Sequence, residues 1–164
     1  MIELHGERLT LRPQTPEDIP RLNEIVAMPG VREIWGENPE MDDQDAWTIL
    51  VDGEIVGWLG WYEETDPMYR HGGLDIFLAP AFQDRGLGRE ALRLGAKWLI
   101  EQRGHHRLII DPAASNARAI ATYAAIGFKP VGIMRRYERG HDGVWHDGLL
   151  MDMLAEEFIP GAVA

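Results

Sequence analysis

The stretch Gln83-Asp84-Arg85-Gly86-Leu87-Gly88 decides the fold, because it joins an apolar segment to a long amphipathic one. Glycines two positions apart at a helix start leave backbone N–H groups open to an anion, and the helix dipole favours negative charge there. The upstream segment Leu74-Asp75-Ile76-Phe77-Leu78-Ala79 is apolar, carries one carboxylate and predicts a strand. Together they predict a strand–loop–helix unit that holds a pyrophosphate, although an ordinary strand-to-helix turn has the same pattern.

Two known phosphate-binding motifs fit this loop poorly. A nucleoside-triphosphate loop requires G-x-x-x-x-G-K-S/T, but Gly88 is followed by Arg89. A dinucleotide fingerprint allows alanine at its third glycine position, Ala91, yet this unit falls in the middle of the chain, after a predicted hairpin. Arg85, Arg89 and Arg93 recur every four residues and predict a basic row along one helix face.

Composition restricts the classes of function. The 164 residues, 45% hydrophobic and 26% charged, predict one globular domain over residues 1–164. The absence of cysteine excludes disulfides, thiolate nucleophiles and Cys-ligated zinc. Without a signal peptide or an apolar run of about 18 residues, we expect a cytoplasmic protein with no membrane partner. The net charge of −11 disfavours nucleic acid and favours a cationic partner, unless the acidity serves solubility alone.

Hydrophobic periodicity predicts a mixed α/β fold, with helices on the faces of a mixed sheet. The predicted strands cover residues 8–13, 46–51, 54–62, 74–79, 107–110, 128–135 and 144–154; the helices cover 15–28, 86–103 and 116–126; a short turn covers 31–35, and loops cover 37–45 and 63–73. Asp52-Gly53 suits a type I′ turn between the second and third strands.

A second motif lies in the last predicted helix. Asn116 and Tyr123 share one helical face and are separated by about 10 Å along the axis. An amide can bind an amide-bearing chain, and a phenol further along can donate a proton to the end of that chain. Alternatively, Asn116 caps the helix and Tyr123 packs in the core.

The two motifs together, with Gly127-Phe128, resemble the GCN5-related N-acetyltransferase (GNAT) superfamily over residues 8 to 154. The resemblance implies acetyl-coenzyme A as co-substrate, no metal, and a mostly antiparallel sheet that splays between strands ending near Ala79 and Asp111. It implies that Tyr123 protonates the departing thiolate. The coenzyme would contact Ile76, Phe77, Leu78, Gln83, Asp84, Arg85, Gly86, Leu87, Gly88, Arg89 and Asn116.

A narrower resemblance points to the acceptor. Glu63-Glu64-Thr65-Asp66-Pro67, Asp111-Pro112-x-x-Ser115-Asn116 and Val31 to Gly36 look like the aminoglycoside 6′-N-acetyltransferases, enzymes of antibiotic resistance. Trp145-His146-Asp147-Gly148 resembles the ribosomal-protein N-terminal acetyltransferases instead. The resemblance implies that Asp75 is the base or the ammonium anchor. The expected acceptor-binding residues are Trp35, Glu63, Glu64, Asp66, Asp75, Asp111 and Asp147.

Other roles for these acids remain open. Asp75 can be a buried acid satisfied by backbone or arginine, Asp111 a strand-end turn residue, and the acids of 63–66 merely solvated. An aliphatic amine with a pKa near 10.4 costs about 4–5 kcal/mol to deprotonate at pH 7, so a nearby carboxylate is useful to this chemistry.

We therefore expect direct acetyl transfer to a cationic small-molecule amine, first an aminoglycoside, by a monomer or homodimer. A protein N-terminus is the second candidate acceptor. A non-catalytic acyl-coenzyme A sensor is the alternative of another class; such a protein could dispense with Asp75 and Tyr123.

Overall fold

The computed structural model describes residues 1–36 and 45–161, so most of the loop predicted over 37–45 lies outside the described residues. The strands are β1 Leu4–His5, β2 Thr10–Pro13, β3 Ala46–Val51, β4 Glu54–Glu64, β5 His71–Leu78, β6 Arg107–Ile110, β7 Lys129–Arg139 and β8 Trp145–Leu154. The helices are α1 Ile19–Val26, α2 Arg32–Trp35, α3 Leu87–Glu101 and α4 Ala117–Ala124, with 3-10 turns at Pro16–Asp18, Pro80–Phe82 and Ala155–Glu157.

One eight-stranded sheet has the order β1-β2-β3-β4-β5-β6-β8-β7. All neighbouring pairs are antiparallel except β5 and β6, which are parallel. This arrangement confirms the predicted mixed, mostly antiparallel sheet, and it places the one parallel junction near its middle.

The parallel junction opens into a gap. β5 and β6 pair only at Gly72 with Leu108 and at Gly73 with Ile109. Beyond these pairs β5 continues to Leu78 without a ladder to β6. The predicted splay between the strands ending near Ala79 and Asp111 is therefore present, and it leaves backbone groups of β5 open to a ligand.

Helices cover both faces of the sheet around this gap. Trp58 and Leu59 are consecutive in β4 and point to opposite faces, because side chains alternate along a strand. Trp58 belongs to a core cluster with α1, whereas Leu59 belongs to the larger cluster with α3. Gly95 lets α3 approach closely, since a Cβ there would lie 2.8 Å from Cδ2 of Leu59.

Several predicted boundaries are wrong. The loop predicted over 63–73 is shorter, because Glu63 and Glu64 extend β4 and pair with Gly72 and His71 of β5. The helix predicted over 15–28 is divided into a 3-10 turn and α1. β7 reaches Arg139, because its pairing with β8 resumes beyond an irregularity. None of the helices in the described residues is long and apolar enough to cross a membrane.

Candidate active site

A cavity of about 1380 Å³ occupies the gap between β5 and β6. It is bounded by β5, the glycine loop, α4 and the β7–β8 hairpin. A second cavity of about 690 Å³ adjoins the tip of β4. Asp75, Asp111 and Tyr137 line both cavities, so these three side chains mark where the two spaces meet.

The glycine loop presents the start of α3 to the larger cavity. Gly86 has φ +79°, a left-handed conformation that suits glycine. The first bond of the helical ladder runs from the N–H of Glu90 to the carbonyl of Gly86, so the N–H groups of residues 87–89 precede the ladder. A Cβ at Gly88 would meet only Cδ1 of Leu78, at 3.5 Å. These features fit the pyrophosphate of acetyl-coenzyme A.

Gln83 connects this loop to β5. Its side-chain amide donates to the carbonyl of Leu78 at 2.9 Å. Asp84 adopts φ +59° and lies 3.4 Å from the guanidinium of Arg118, an exposed ion pair. Gln83 and Asp84 therefore contact the protein through their side chains, and both line the cavity.

The predicted basic row does not form on one helix face, because α3 begins at Leu87 and Arg85 precedes it. The guanidinium of Arg85 lies over the ring of Phe82. Arg93 donates to two backbone carbonyls, Ala125 and Ile159, and so holds the C-terminal segment. Of the three arginines, Arg89 lines the cavity.

Arg8 contacts the glycine loop, and the sequence did not predict this contact. Its Nη1 donates to the carbonyl of Arg85 at 2.6 Å, and its Nε donates to Glu90 at 2.9 Å. No local pattern could reveal these contacts, because their partners are separated by 77 and 82 residues.

Asn116 and Tyr123 both line the cavity from α4. The Oδ1 of Asn116 accepts from the N–H of Ala119 at 3.2 Å, so Asn116 is an N-cap as well. Tyr123 is only 7% exposed and packs edge-on against Phe128. Burial, and then the nearby charges of Asp75 and Asp111, raise the pKa of Tyr123. Its phenol therefore stays protonated and can donate a proton at neutral pH.

Asp75 projects from β5 into the cavities. Asp75 is an exposed residue and lines both cavities. The surrounding protein first, and then the charge of Asp111, raise the pKa of Asp75 to about 7, while the N–H of Ile76 donates to it and opposes this rise. A carboxylate that titrates near neutral pH can accept a proton from an incoming amine.

Trp35 and Asp111, two of the residues expected in an acceptor pocket, also line the larger cavity. Trp35 packs edge-on against Trp58 and Phe77, with ring centroids 5.6 and 5.2 Å away. Asp111 accepts a hydrogen bond from the hydroxyl of Tyr137. Trp35 and Asp111 thus supply an apolar wall and a negative charge.

Glu63 has a different environment from the one expected. Both of its carboxylate oxygens are bonded, to Arg103 at 2.8 and 2.9 Å and to Nε2 of His105 at 2.7 Å. The hydrogen bonds from Arg103 are the main cause that lowers the pKa of Glu63 to about 2; burial opposes them, and the hydrogen bond from His105 adds to them. Glu63 borders the second cavity but is held in a structural ion pair.

Three other predicted acceptor residues do not line either cavity: Glu64, Asp66 and Asp147. Glu64 and Asp66 accept backbone N–H groups within their own turn. Asp147 accepts the N–H of Arg136 at 2.8 Å. Their spacing in the sequence could not show these backbone partners.

Sequence reasoning also missed Tyr62, Tyr137 and Glu138, which border the cavities beside Asp111. Burial, then the charges of Asp111 and Asp75, raise the pKa of Tyr62 to about 12. Burial, then Asp111, raise the pKa of Glu138. Three carboxylates and two phenols therefore surround the junction of the cavities. Among the described residues, no group of acids and histidines is arranged to hold a metal ion.

The comparisons with known proteins agree with this architecture. Residues 12–128 match the acetyltransferase (GNAT) family. The chain is 31% identical over 156 residues to the aminoglycoside N(6′)-acetyltransferase type 1 of Klebsiella pneumoniae, covering 77% of each chain. It is 42% identical over 71 residues to the ribosomal protein bS18-alanine N-acetyltransferase of Salmonella typhimurium, covering 42% of this chain and 47% of that one.

Solved structures share the fold. The ribosomal-protein-S5-alanine acetyltransferase of Vibrio fischeri has a TM-score of 0.82 at 15% identity, covering 98% of this chain and 100% of that one. AAC(6′)-Ib in complex with paromomycin and acetyl-coenzyme A has a TM-score of 0.74 at 24% identity, covering 92% and 96%. The family match and the relative that aligns over most of both chains show that this chain belongs to the GNAT family of acetyl-coenzyme A-dependent N-acetyltransferases.

Proposed function

We propose that this enzyme transfers the acetyl group of acetyl-coenzyme A to a primary amine of an aminoglycoside, the 6′-amine by resemblance. The observation that carries the proposal is the cluster of Asp75 and Asp111, where the two cavities meet, with Glu138 in the larger cavity. A compact acceptor with several ammonium groups complements such a cluster better than an acceptor with one.

The loop and β5 are suited to hold the coenzyme, which supplies the acetyl thioester. The open N–H groups at the start of α3 would bind its pyrophosphate, with Arg89 at the rim. The backbone over Ile76 to Leu78, which has no ladder to β6, would bind its pantetheine arm, and Asn116 would contact the same arm. These assignments rest on the cavity lining and on the missing ladder between β5 and β6.

The reaction needs two proton transfers, and the cavity offers one group for each. Asp75 would hold the ammonium of the acceptor and take its proton, directly or through water, before nitrogen attacks the carbonyl carbon. Tyr123 would then donate its proton to the departing sulfur. A bound cation lowers the pKa of Asp75, so the carboxylate serves as an anchor as well as a base.

A protein N-terminus is the second candidate acceptor, and the 42% identity to the bS18-alanine N-acetyltransferase favours it. An N-terminal amine has a pKa near 8 and needs less help to lose its proton. The acidic cluster therefore favours the aminoglycoside. Asp147, the acid in the segment that resembles the ribosomal-protein enzymes, does not line either cavity.

The decisive experiment measures turnover with both acceptor classes side by side. We expect acetylation of kanamycin- or tobramycin-like compounds, with a KM that rises as ionic strength rises. Acetylation of ribosomal-type N-terminal peptides with inert aminoglycosides would establish the second candidate. Coenzyme A binding without turnover of any acceptor would instead support a non-catalytic sensor.

A further inference from the structure

Tyr137 occupies a special position among the residues that sequence reasoning did not select. Its hydroxyl donates to Oδ2 of Asp111, and its side chain borders both cavities. The hydrogen bond to Asp111 is also the main reason why the pKa of Tyr137 is raised. Tyr137 therefore contacts a carboxylate of the cluster, Asp111, and adds no carboxylate of its own.

A β-bulge directs Tyr137 toward this cluster. The register between β7 and β8 shifts between Met134 and Glu138. Within the shift Arg136 has φ +47°, and its N–H donates to the side chain of Asp147 at 2.8 Å. This arrangement changes the direction of the following side chain relative to a regular strand.

Gly148 leaves room for the tyrosine ring. A Cβ at this position would lie 2.8 Å from Cδ1 of Tyr137, closer than real contacts allow. Asp147 and Gly148 are adjacent in β8, so the side chain of one holds the bulge while the other makes space for the ring.

The same part of β8 also binds the segment that follows Asp111. The N–H of Leu149 donates to the carbonyl of Pro112, and the N–H of Ala114 donates to the carbonyl of Asp147, both at 2.8 Å. Residues 147–149 therefore hold chain neighbours of both partners of the Tyr137–Asp111 hydrogen bond. We interpret Asp147 as a support of the acceptor site rather than a ligand of the acceptor.

The hydrogen bond gives two neighbouring carboxylates different surroundings. Donation by the hydroxyl of Tyr137 restricts the orientation of Asp111. Asp75 receives a backbone N–H instead. Asp111 is thus held in one orientation to bind a cationic group, whereas Asp75 is suited to exchange a proton.

We propose that Tyr137 is a positioning residue that determines acceptor specificity, because it holds Asp111 to bind a second cationic group while Asp75 receives the reacting amine. This inference rests on the proposed function. It predicts that acceptors with two or more ammonium groups depend on Tyr137, and that acceptors with one do not.

The test is a double-mutant cycle with Tyr137→Phe and Asp111→Asn. Tyr137→Phe keeps the ring beside Gly148 and removes only the donated hydrogen bond. We expect it to raise KM for a polycationic acceptor about tenfold, the order for a hydrogen bond to a charged group. The kcat and the Kd for coenzyme A should change less than threefold. In the Asp111→Asn background the same change should add little, because the two residues act together.

Tyr69→Phe is the matched control, since Tyr69 is 73% exposed and lines neither cavity. Additive effects of the two substitutions would overturn the proposal, and so would a fall in kcat at unchanged KM. Equal effects on acceptors with one and with several cations would overturn it as well.

The acceptor screen separates this proposal from the proposed function. If peptides are the substrates, the function is wrong, but the cycle can be repeated with peptides that carry or lack an arginine beside the N-terminus. In that case the proposal for Tyr137 is wrong only if Tyr137→Phe has the same effect on KM for both peptides.

Discussion

Arg8 and Glu90 form a two-point contact that attaches the chain before β2 to the first turn of α3. The backbone N–H and the Nε of Arg8 donate to the two oxygens of the Glu90 carboxylate, each at 2.9 Å. The guanidinium also donates to the carbonyl of Arg85, directly before Gly86. The start of the predicted coenzyme-binding helix is thus held from outside the cavity.

We predict that Arg8→Ala weakens coenzyme A binding and has only a small effect on the stability of the fold. The pair is partly exposed, so its effect on the free energy of unfolding should stay below about 1 kcal/mol. Displacement of the glycine loop should raise the Kd for coenzyme A about fivefold, measured by calorimetry. Arg21→Ala, which breaks the surface pair with Glu24, is the control and should leave that Kd unchanged. An unchanged Kd in Arg8→Ala would show that the glycine loop keeps its conformation without Arg8.

Gly88 allows a matched pair of substitutions in the loop. A Cβ there makes only an ordinary contact with Leu78, so Gly88→Ala should fold and bind coenzyme A. Gly88→Asp places a negative charge at the predicted pyrophosphate site and should abolish binding. In the parent, coenzyme A at a hundredfold excess over Kd should stabilise the fold by about 2.7 kcal/mol, measured by thermal denaturation. Equal stabilisation of the aspartate variant would contradict the placement of the pyrophosphate.

Tyr123→Phe tests the predicted proton donor. Phenylalanine preserves the packing against Phe128, so the fold should be retained. Loss of the phenolic proton should lower kcat about 10²-fold, the lower end of general acid effects, with little change in coenzyme affinity. Single-turnover measurements will show whether product release hides the effect. Unaltered chemistry in the single turnover would make Tyr123 a packing residue.

How well the sequence predicted each feature depends on how far apart in the chain the interacting residues lie. The glycine loop, the Asn116 cap and the strand carrying Asp75 depend on nearest neighbours, so local sequence was sufficient to predict them. The basic row was wrong for a local reason: Gly86 is left-handed, and the helical spacing therefore starts only after Arg85.

The predicted acceptor site depends on contacts that no short segment contains. Glu63 is bound by groups about 40 residues away, and Tyr137 reaches Asp111 through a bulge that interrupts strand alternation. A count of acids around residue 63 could not distinguish a free carboxylate from an ion-paired one. That distinction requires the pairing of β4 with β5 and the packing of the segment after α3.

Glu63→Gln should therefore act on stability rather than on the acceptor. It removes the partner of Arg103 and of the buried His105, and we expect it to lower the free energy of unfolding by about 1–3 kcal/mol. The pKa of Glu63 is lowered from 4.5 to about 2, so its contribution is present above pH 4.5 and is lost as pH falls toward 2. Denaturant unfolding at pH 7 and pH 3 should show a larger effect of the substitution at pH 7. A large increase in acceptor KM, with stability unchanged, would show that Glu63 binds the acceptor.

Asp75→Asn should lower activity and raise stability. Loss of the proton acceptor should reduce kcat/KM at least about 10²-fold. It should also remove the inflection near pH 7 that we expect in the pH dependence of kcat/KM for the parent. The folded pKa of Asp75 is about 7 against an ordinary 3.8, so the parent loses stability as pH rises between these values. The Asn variant does not carry this loss, because it has no charge to desolvate or to repel Asp111.

Thermal denaturation of Asp75→Asn and of the parent at several pH values measures this difference in stability. The advantage in Tm of Asp75→Asn over the parent should be near zero at pH 4, increase up to about pH 7 and then level off. Asp66→Asn is the control, because Asp66 lines neither cavity and its replacement should change neither Tm nor turnover. A variant that loses activity while its Tm difference stays constant with pH would mean that Asp75 is already ionised in the free enzyme. Asp75 would then be an ammonium anchor, and the proton of the amine would leave through another group or through water.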